Sequence, residues 1–117
     1  MKHLKIYHNP RCSKSRKTLQ IIRDHGVEPE VVEYLKTPPT ESEIKKISNL
    51  LGLDPKRFVR TSENDFKENG LSEKISDNEE MFRLMAKFPK VIERPIVVSD
   101  DSAIIGRPPE KVLKILT

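Results

Sequence analysis

A chain of 117 residues has the length of one domain and can bury a modest core without disulfide staples. With 34% charged and 35% hydrophobic residues, and no run near the roughly 20 apolar residues of a membrane span, it reads as a soluble protein with no membrane association. The formal net charge of +4 is interspersed with acids and only 5% of residues are aromatic, which argues against a nucleic-acid surface and suits a small anionic substrate.

The first residues hold no apolar run of signal-peptide length and lead straight into a strand. The one cysteine, Cys12, cannot form an internal disulfide, so a reducing cytoplasm is the expected compartment. Leu4, Ile6 and His8 alternate with Lys5 and Tyr7, which predicts a strand over 3–8. After Cys12 the spacing turns helical, with Thr18, Leu19 and Ile22 on one side and Gly26 as the stop. Residues 30–35 form a second predicted strand, and this β-α-β start implies a parallel pair with a right-handed crossover.

Thr40 and Glu43 match a capping box that opens a helix with Ile44, Ile47 and Leu51 inward and Gly52 at its end. Asp54-Pro55 is expected to start a short helix that reaches about Arg60. Residues 61–75 are polar and without period, with a turn at Asn69-Gly70. Ser76 and Glu79 repeat the capping-box spacing before a helix carrying Met81, Leu84, Met85 and Phe88. Ile96-Val97-Val98 and Ala103-Ile104-Ile105 read as a hairpin across Ser99-Asp100-Asp101-Ser102. Pro108-Pro109 opens a final helix with Val112, Leu113 and Leu116. The order β-α-β, helical insertion at about 40–88, β-β-α predicts one α/β (α+β) domain over 1–117 with a single mixed sheet.

Cys12 stands in a polar, basic, proline-containing turn between a strand and a helix. There the N–H groups and dipole of the first helical turn favour a thiolate, and Arg11, Lys14 and Arg16 add positive charge. Ser15 occupies the place of a resolving cysteine in Cys-x-x-Cys; its hydroxyl can hydrogen-bond a thiolate but cannot form a disulfide. Oxidised Cys12 therefore needs a thiol from outside. The Cys-x5-Arg loop of the small phosphatases is absent, since position 18 is Thr. His8, at the end of the first strand, is a candidate proton or charge partner. Arg94 and Arg107 flank the hairpin and Arg60 ends the short helix; an arginine fork suits a tetrahedral oxyanion. His3, His8, His25 and Cys12 show no metal-ligand spacing, and no phosphate-binding glycine loop is present.

Several of these stretches together carry a resemblance: Ile6-Tyr7-His8-Asn9-Pro10 before Cys12, Ser15-Arg16, Glu28-Pro29, Tyr34-Leu35, Pro38-Pro39, Arg60, Arg94-Pro95-Ile96-Val97-Val98 and Gly106-Arg107-Pro108-Pro109-Glu110. Over essentially its whole length the chain resembles the glutaredoxin-linked arsenate reductases, a branch of the thioredoxin-fold proteins. The resemblance implies a thioredoxin/glutaredoxin-like sheet, Cys12 as nucleophile and Arg60, Arg94 and Arg107 as oxyanion-binding residues. It makes His8, Ser15 and Arg16 accessory to the thiolate and Pro95 a cis-proline beside it. It implies arsenate as substrate, glutathione as co-substrate, glutaredoxin as partner and no bound cofactor. The alternatives are a monothiol glutathione-linked oxidoreductase of another substrate, which would need Cys12 but not all three arginines, and a redox-insensitive regulatory relative that binds RNA polymerase.

Overall fold

The alternation of Leu4, Ile6 and His8 becomes a buried strand face, and the sheet is assembled around it. The computed structural model describes residues 3–116. It divides into two units, one of residues up to Thr37 and from Arg94 onward, the other Pro38–Glu93. In the first unit β1 (Lys5–His8) pairs in parallel with β2 (Glu30–Glu33) and antiparallel with β3 (Ile96–Val98), which pairs antiparallel with β4 (Ala103–Ile105). The order is β2-β1-β3-β4. β2 is shorter than the predicted 30–35 because the N–H groups of Lys36 and Thr37 both turn back to the Glu33 carbonyl at 2.9 Å, which ends the ladder.

α1 (Ser13–Asp24) makes the crossover from β1 to β2 and stops at Gly26, whose φ of 78° is cheap only for glycine. Leu19 and Ile22 from α1 meet Leu4, Ile6 and Val97 from the sheet in one buried cluster, completed by Val112 and Ile115. Fully burying side chains of this size is worth about 1.5–3 kcal/mol each relative to exposure. The C-terminal segment is a 3-10 turn, Pro109–Val112, running into α5 (Leu113–Leu116). The final helix expected after Pro108-Pro109 is thus α-helical only over its last four described residues, and Leu116 packs partly buried against the core. Val112 and Ile115 are buried, three residues apart as a tight turn requires, and Leu113 is 38% exposed.

In the second unit α2 (Glu41–Leu51) opens with the expected capping box. The Glu43 N–H donates to Thr40 Oγ1 at 3.1 Å and the Thr40 N–H to Glu43 Oε1 at 3.2 Å. The helix buries Ile44 and Ile47 and packs against the helix Asn78–Lys87. The aperiodic stretch 61–75 contains α3 (Asn64–Glu68) and a 3-10 turn, Leu71–Lys74. Each is anchored by a single apolar side chain, Phe66 or Leu71, which is too little to register as a period. α4 (Asn78–Lys87) is capped by Asp77 rather than Ser76: its Oδ1 accepts the Glu80 N–H at 3.2 Å, and its negative charge suits a helix N-terminus. The segment after Asp54 is only a 3-10 turn, Pro55–Arg57. Arg60 is therefore not a helix end but follows directly on a Val59–Ile92 bridge, its N–H on the Val91 carbonyl at 2.6 Å. Among the described residues no helix is long and apolar enough to cross a membrane.

Candidate active site

Strand register brings the Cys12 turn and two of the arginines to one end of the sheet. Tyr7 stands opposite Ile96, and Ile96 opposite Ile105. The C-terminal end of β1, the N-terminal end of β3 and the C-terminal end of β4 therefore coincide. Cys12 follows the first of these, Arg94 precedes the second and Arg107 follows the third.

The Cys12 turn is built by Asn9. Its carbonyl accepts the Cys12 N–H at 3.0 Å and its side-chain Oδ1 accepts the Arg11 N–H at 3.0 Å, an Asx-type closure. Cys12 is the N-cap residue of α1, with φ −95° and ψ 121°; its carbonyl accepts the Arg16 N–H at 3.0 Å, and its side chain makes no cap bond. The thiol is partly exposed. The first turn of α1 holds no acid, and the N–H groups of a helix's first turn favour negative charge at its N-terminus. Arg16 braces the turn, its Nη1 donating to the Pro10 carbonyl at 2.9 Å.

Ser15 is fully buried and its hydroxyl is engaged by His8 and Asn9. Its Oγ lies 2.6 Å from His8 Nδ1 and accepts the Asn9 N–H at 3.1 Å. The bond from Ser15 to the sulfur that sequence spacing allowed is replaced by this His8–Ser15–Asn9 chain. Burial holds the His8 pKa below its ordinary value of 6.5; Glu33 pulls it up, and Arg23 and Arg16 push it further down. The ring is accordingly neutral near pH 7.

The arginine turns are held together and against α1. Arg107 Nη1 donates to the Arg94 carbonyl at 3.3 Å, and the Gly106 N–H donates to the Pro95 carbonyl at 2.9 Å. Thr18 Oγ1, buried in α1, donates to the Lys14 carbonyl at 2.8 Å and approaches the Gly106 carbonyl at 3.4 Å. A Cβ on Gly106 would stand 2.6 Å from Thr18 Oγ1 and 2.9 Å from Pro95 Cγ, so glycine is required by close approach. The Arg94–Pro95 peptide is cis as the resemblance implied, and Arg107–Pro108 is cis as well.

Cys12, Arg94, Arg107, His8, Ser15, Arg16 and Pro95 thus lie in the first unit. Arg60 belongs to the second, where its Nη1 is 3.0 Å from Glu63 Oε1 and its Nε 3.8 Å from Glu93 Oε1, with the side chain 20% exposed. Sequence reading missed Asn9, for which the Asn-Pro turn signal was available, and the Thr18–Gly106 contact, for which no local signal exists. Among the described residues no group of three or more His, Cys, Asp or Glu side chains is gathered for a metal.

Residues 7–115 match the ArsC family. The chain is 44% identical over 117 residues to an arsenate reductase of Neisseria meningitidis, covering 99% of this chain and 100% of that one. It is 47% identical over 116 residues to the uncharacterized protein YfgD of Escherichia coli, covering 98% of each. Its fold superposes on the solved arsenate reductase of Vibrio cholerae with a TM-score of 0.92 at 43% identity, covering 97% of this chain and 98% of that one. The sheet is thus the thioredoxin-like one of the arsenate reductases.

Proposed function

Since this chain belongs to the ArsC family, we propose that it reduces arsenate to arsenite, with Cys12 as nucleophile and glutathione and glutaredoxin as external reductants. The observation that carries this reading is the juxtaposition at one sheet end: a partly exposed cysteine at a helix N-terminus, beside two turns that each present an arginine. Relatives of matching length bear the name arsenate reductase.

In this reading Arg94 and Arg107 hold the oxyanion through charge-assisted bonds, and the resemblance assigns Arg60 the same task. The Cys12 thiolate attacks arsenic, forming the S–As bond as an oxygen departs as water after protonation. Glutathione then supplies the second thiol. A sulfur–sulfur bond forms as the S–As bond breaks, its electron pair stays on arsenic, and arsenite leaves. The Cys12–glutathione disulfide is reduced by glutaredoxin, because position 15 offers a hydroxyl and no second thiol. The Ser15–His8 bond holds the turn that aims Cys12 and takes no electrons.

The test is arsenite production from arsenate with glutathione and glutaredoxin. Cys12→Ser is expected to abolish turnover, and Arg94→Ala and Arg107→Ala to lower kcat/KM for arsenate by about 10²–10³-fold each, as for lost transition-state donors. Absence of turnover by the wild-type chain overturns the reading. If the arginine variants keep full activity toward glutathione-linked disulfides while arsenate is never reduced, the chain is a monothiol oxidoreductase instead.

A further inference from the structure

The turn that carries Cys12 also forms one wall of a cavity of about 180 Å3, whose opposite wall is the end of β2 and the residues after it. His8, Pro10 and Arg11 line one side, and Glu33, Leu35 and Lys36 the other. All belong to the first unit. His8 is 6% exposed, and its Nδ1 is taken by Ser15. Its Nε2 has no protein partner among the described residues, and His8 lines the cavity. The Arg11 guanidinium has no carboxylate partner among the described residues either; Arg11 bonds only through its backbone N–H, to Asn9. Lys36 Nζ sits 3.5 Å from Glu33 Oε1, with side chains 78% and 42% exposed, so the pair is open to a ligand. Leu35, 40% exposed, and Pro10 supply an apolar strip between the charges.

Two cations, one carboxylate and a buried imidazole nitrogen around a small apolar strip do not suit a polyanion, which Glu33 would repel. They suit an α-amino-acid zwitterion, with its carboxylate toward Arg11 and Lys36 and its ammonium toward Glu33. The volume is below the roughly 300–1,000 Å3 that encloses a whole drug-sized ligand, so it fits one end of a longer molecule. Arg11 is next to Cys12 in the chain, with Cα atoms about 3.8 Å apart, so a ligand anchored here has its remainder within reach of the sulfur. We propose that this cavity takes the zwitterionic γ-glutamyl end of glutathione and thereby selects the thiol that reacts at Cys12. The proposal rests on the function above, in which glutathione is the co-substrate.

The tests use the full chain, and the two binding and exchange measurements are made without arsenate. S-methylglutathione, whose thiol is blocked, is titrated while backbone amide and His8 ring resonances are followed. Shifts are expected at His8, Arg11, Glu33 and Lys36, and shifts confined to residues 94–95 and 106–107 overturn the proposal. In parallel, intact mass follows Cys12 modification by glutathione disulfide and by neutral 2-hydroxyethyl disulfide. In each case the Cys12 thiolate takes one sulfur and releases the other half as its thiolate. The ratio of the two rates is expected to fall about threefold in Arg11→Ala or Lys36→Ala and about tenfold in the double variant. Glu33→Gln separates recognition from net charge. Loss of an ammonium contact lowers the ratio, whereas a general electrostatic effect raises it and overturns the proposal. A chain that passes these tests yet makes no arsenite refutes the proposed function alone. A chain that makes arsenite with an unchanged glutathione KM in the Arg11→Ala/Lys36→Ala variant refutes the cavity alone.

Discussion

Gly106→Ala is the substitution whose cost follows most directly from the geometry. The added Cβ would lie 2.6 Å from Thr18 Oγ1, 3.0 Å from Thr18 Cγ2 and 2.9 Å from Pro95 Cγ, where ordinary contact begins near 3.4 Å. None of these groups can swing away freely. Thr18 is fully buried and held by its bond to the Lys14 carbonyl, and Pro95 is a buried ring at the start of β3. Forcing one methyl into such a site costs about 1–3 kcal/mol. For a chain of this size that lowers Tm by about 3–6 °C per kcal/mol, and urea denaturation should show a lower midpoint with unchanged slope. The same displacement moves Arg107 and Arg94 relative to α1, so kcat/KM for arsenate should fall by about tenfold or more while the fold persists. Thr18→Ala supplies the internal check: it removes both Thr18 atoms in the clash, so the double variant should be more stable than the sum of the singles by about 1 kcal/mol or more. A Gly106→Ala protein within about 0.5 kcal/mol of wild type, or strict additivity with Thr18→Ala, would refute the argument that this contact docks the arginine turns on α1.

Two further outcomes follow from other parts of the chain. His8 is buried with its pKa below 6.5, so unfolded chains take up a proton at a higher pH than folded ones. The stability is therefore fully present above pH 6.5 and is lost as the pH falls below that value toward the folded pKa, with a slope of at most about 1.4 kcal/mol per pH unit. Urea midpoints between pH 7.5 and 5 should show this limb in wild type and a flatter one in His8→Gln; equal slopes would mean His8 does not carry it. In the second unit, Thr40→Ala removes the Oγ1 that accepts the Glu43 N–H and should cost about 1 kcal/mol, whereas Thr40→Ser should cost little. Denaturation curves of the two variants that coincide would show that the capping box adds nothing.

Local rules made most of the elements legible. The Thr40–Glu43 box and Gly52 bracket α2 because their hydrogen bonds and φ of 67° are satisfied within a few residues. Where the reading was displaced, a neighbour supplied a competing option of the same chemistry, as Asp77 did beside Ser76. α3 stayed hidden because one buried side chain, Phe66, leaves no period to read. Arg60 was misplaced at a helix end because the extended pairing of Val59 with Ile92 connects residues more than thirty apart.

By itself the sequence determined the chemistry of the site: a lone thiol at a strand-to-helix turn, a serine where a resolving cysteine would stand, and arginines at the ends of β-rich runs. Those depend on residue type and on spacing within one turn. Only the tertiary structure decided that Ser15 serves His8 instead of the sulfur, that the Arg94 and Arg107 turns share a sheet end with Cys12, and that Gly106 is glycine because Thr18 and Pro95 leave no room for a Cβ. The physical reason is that these are steric and register relations between segments far apart in the chain, 88 residues in the case of Thr18 and Gly106, and chain spacing carries no record of them until the strands have paired.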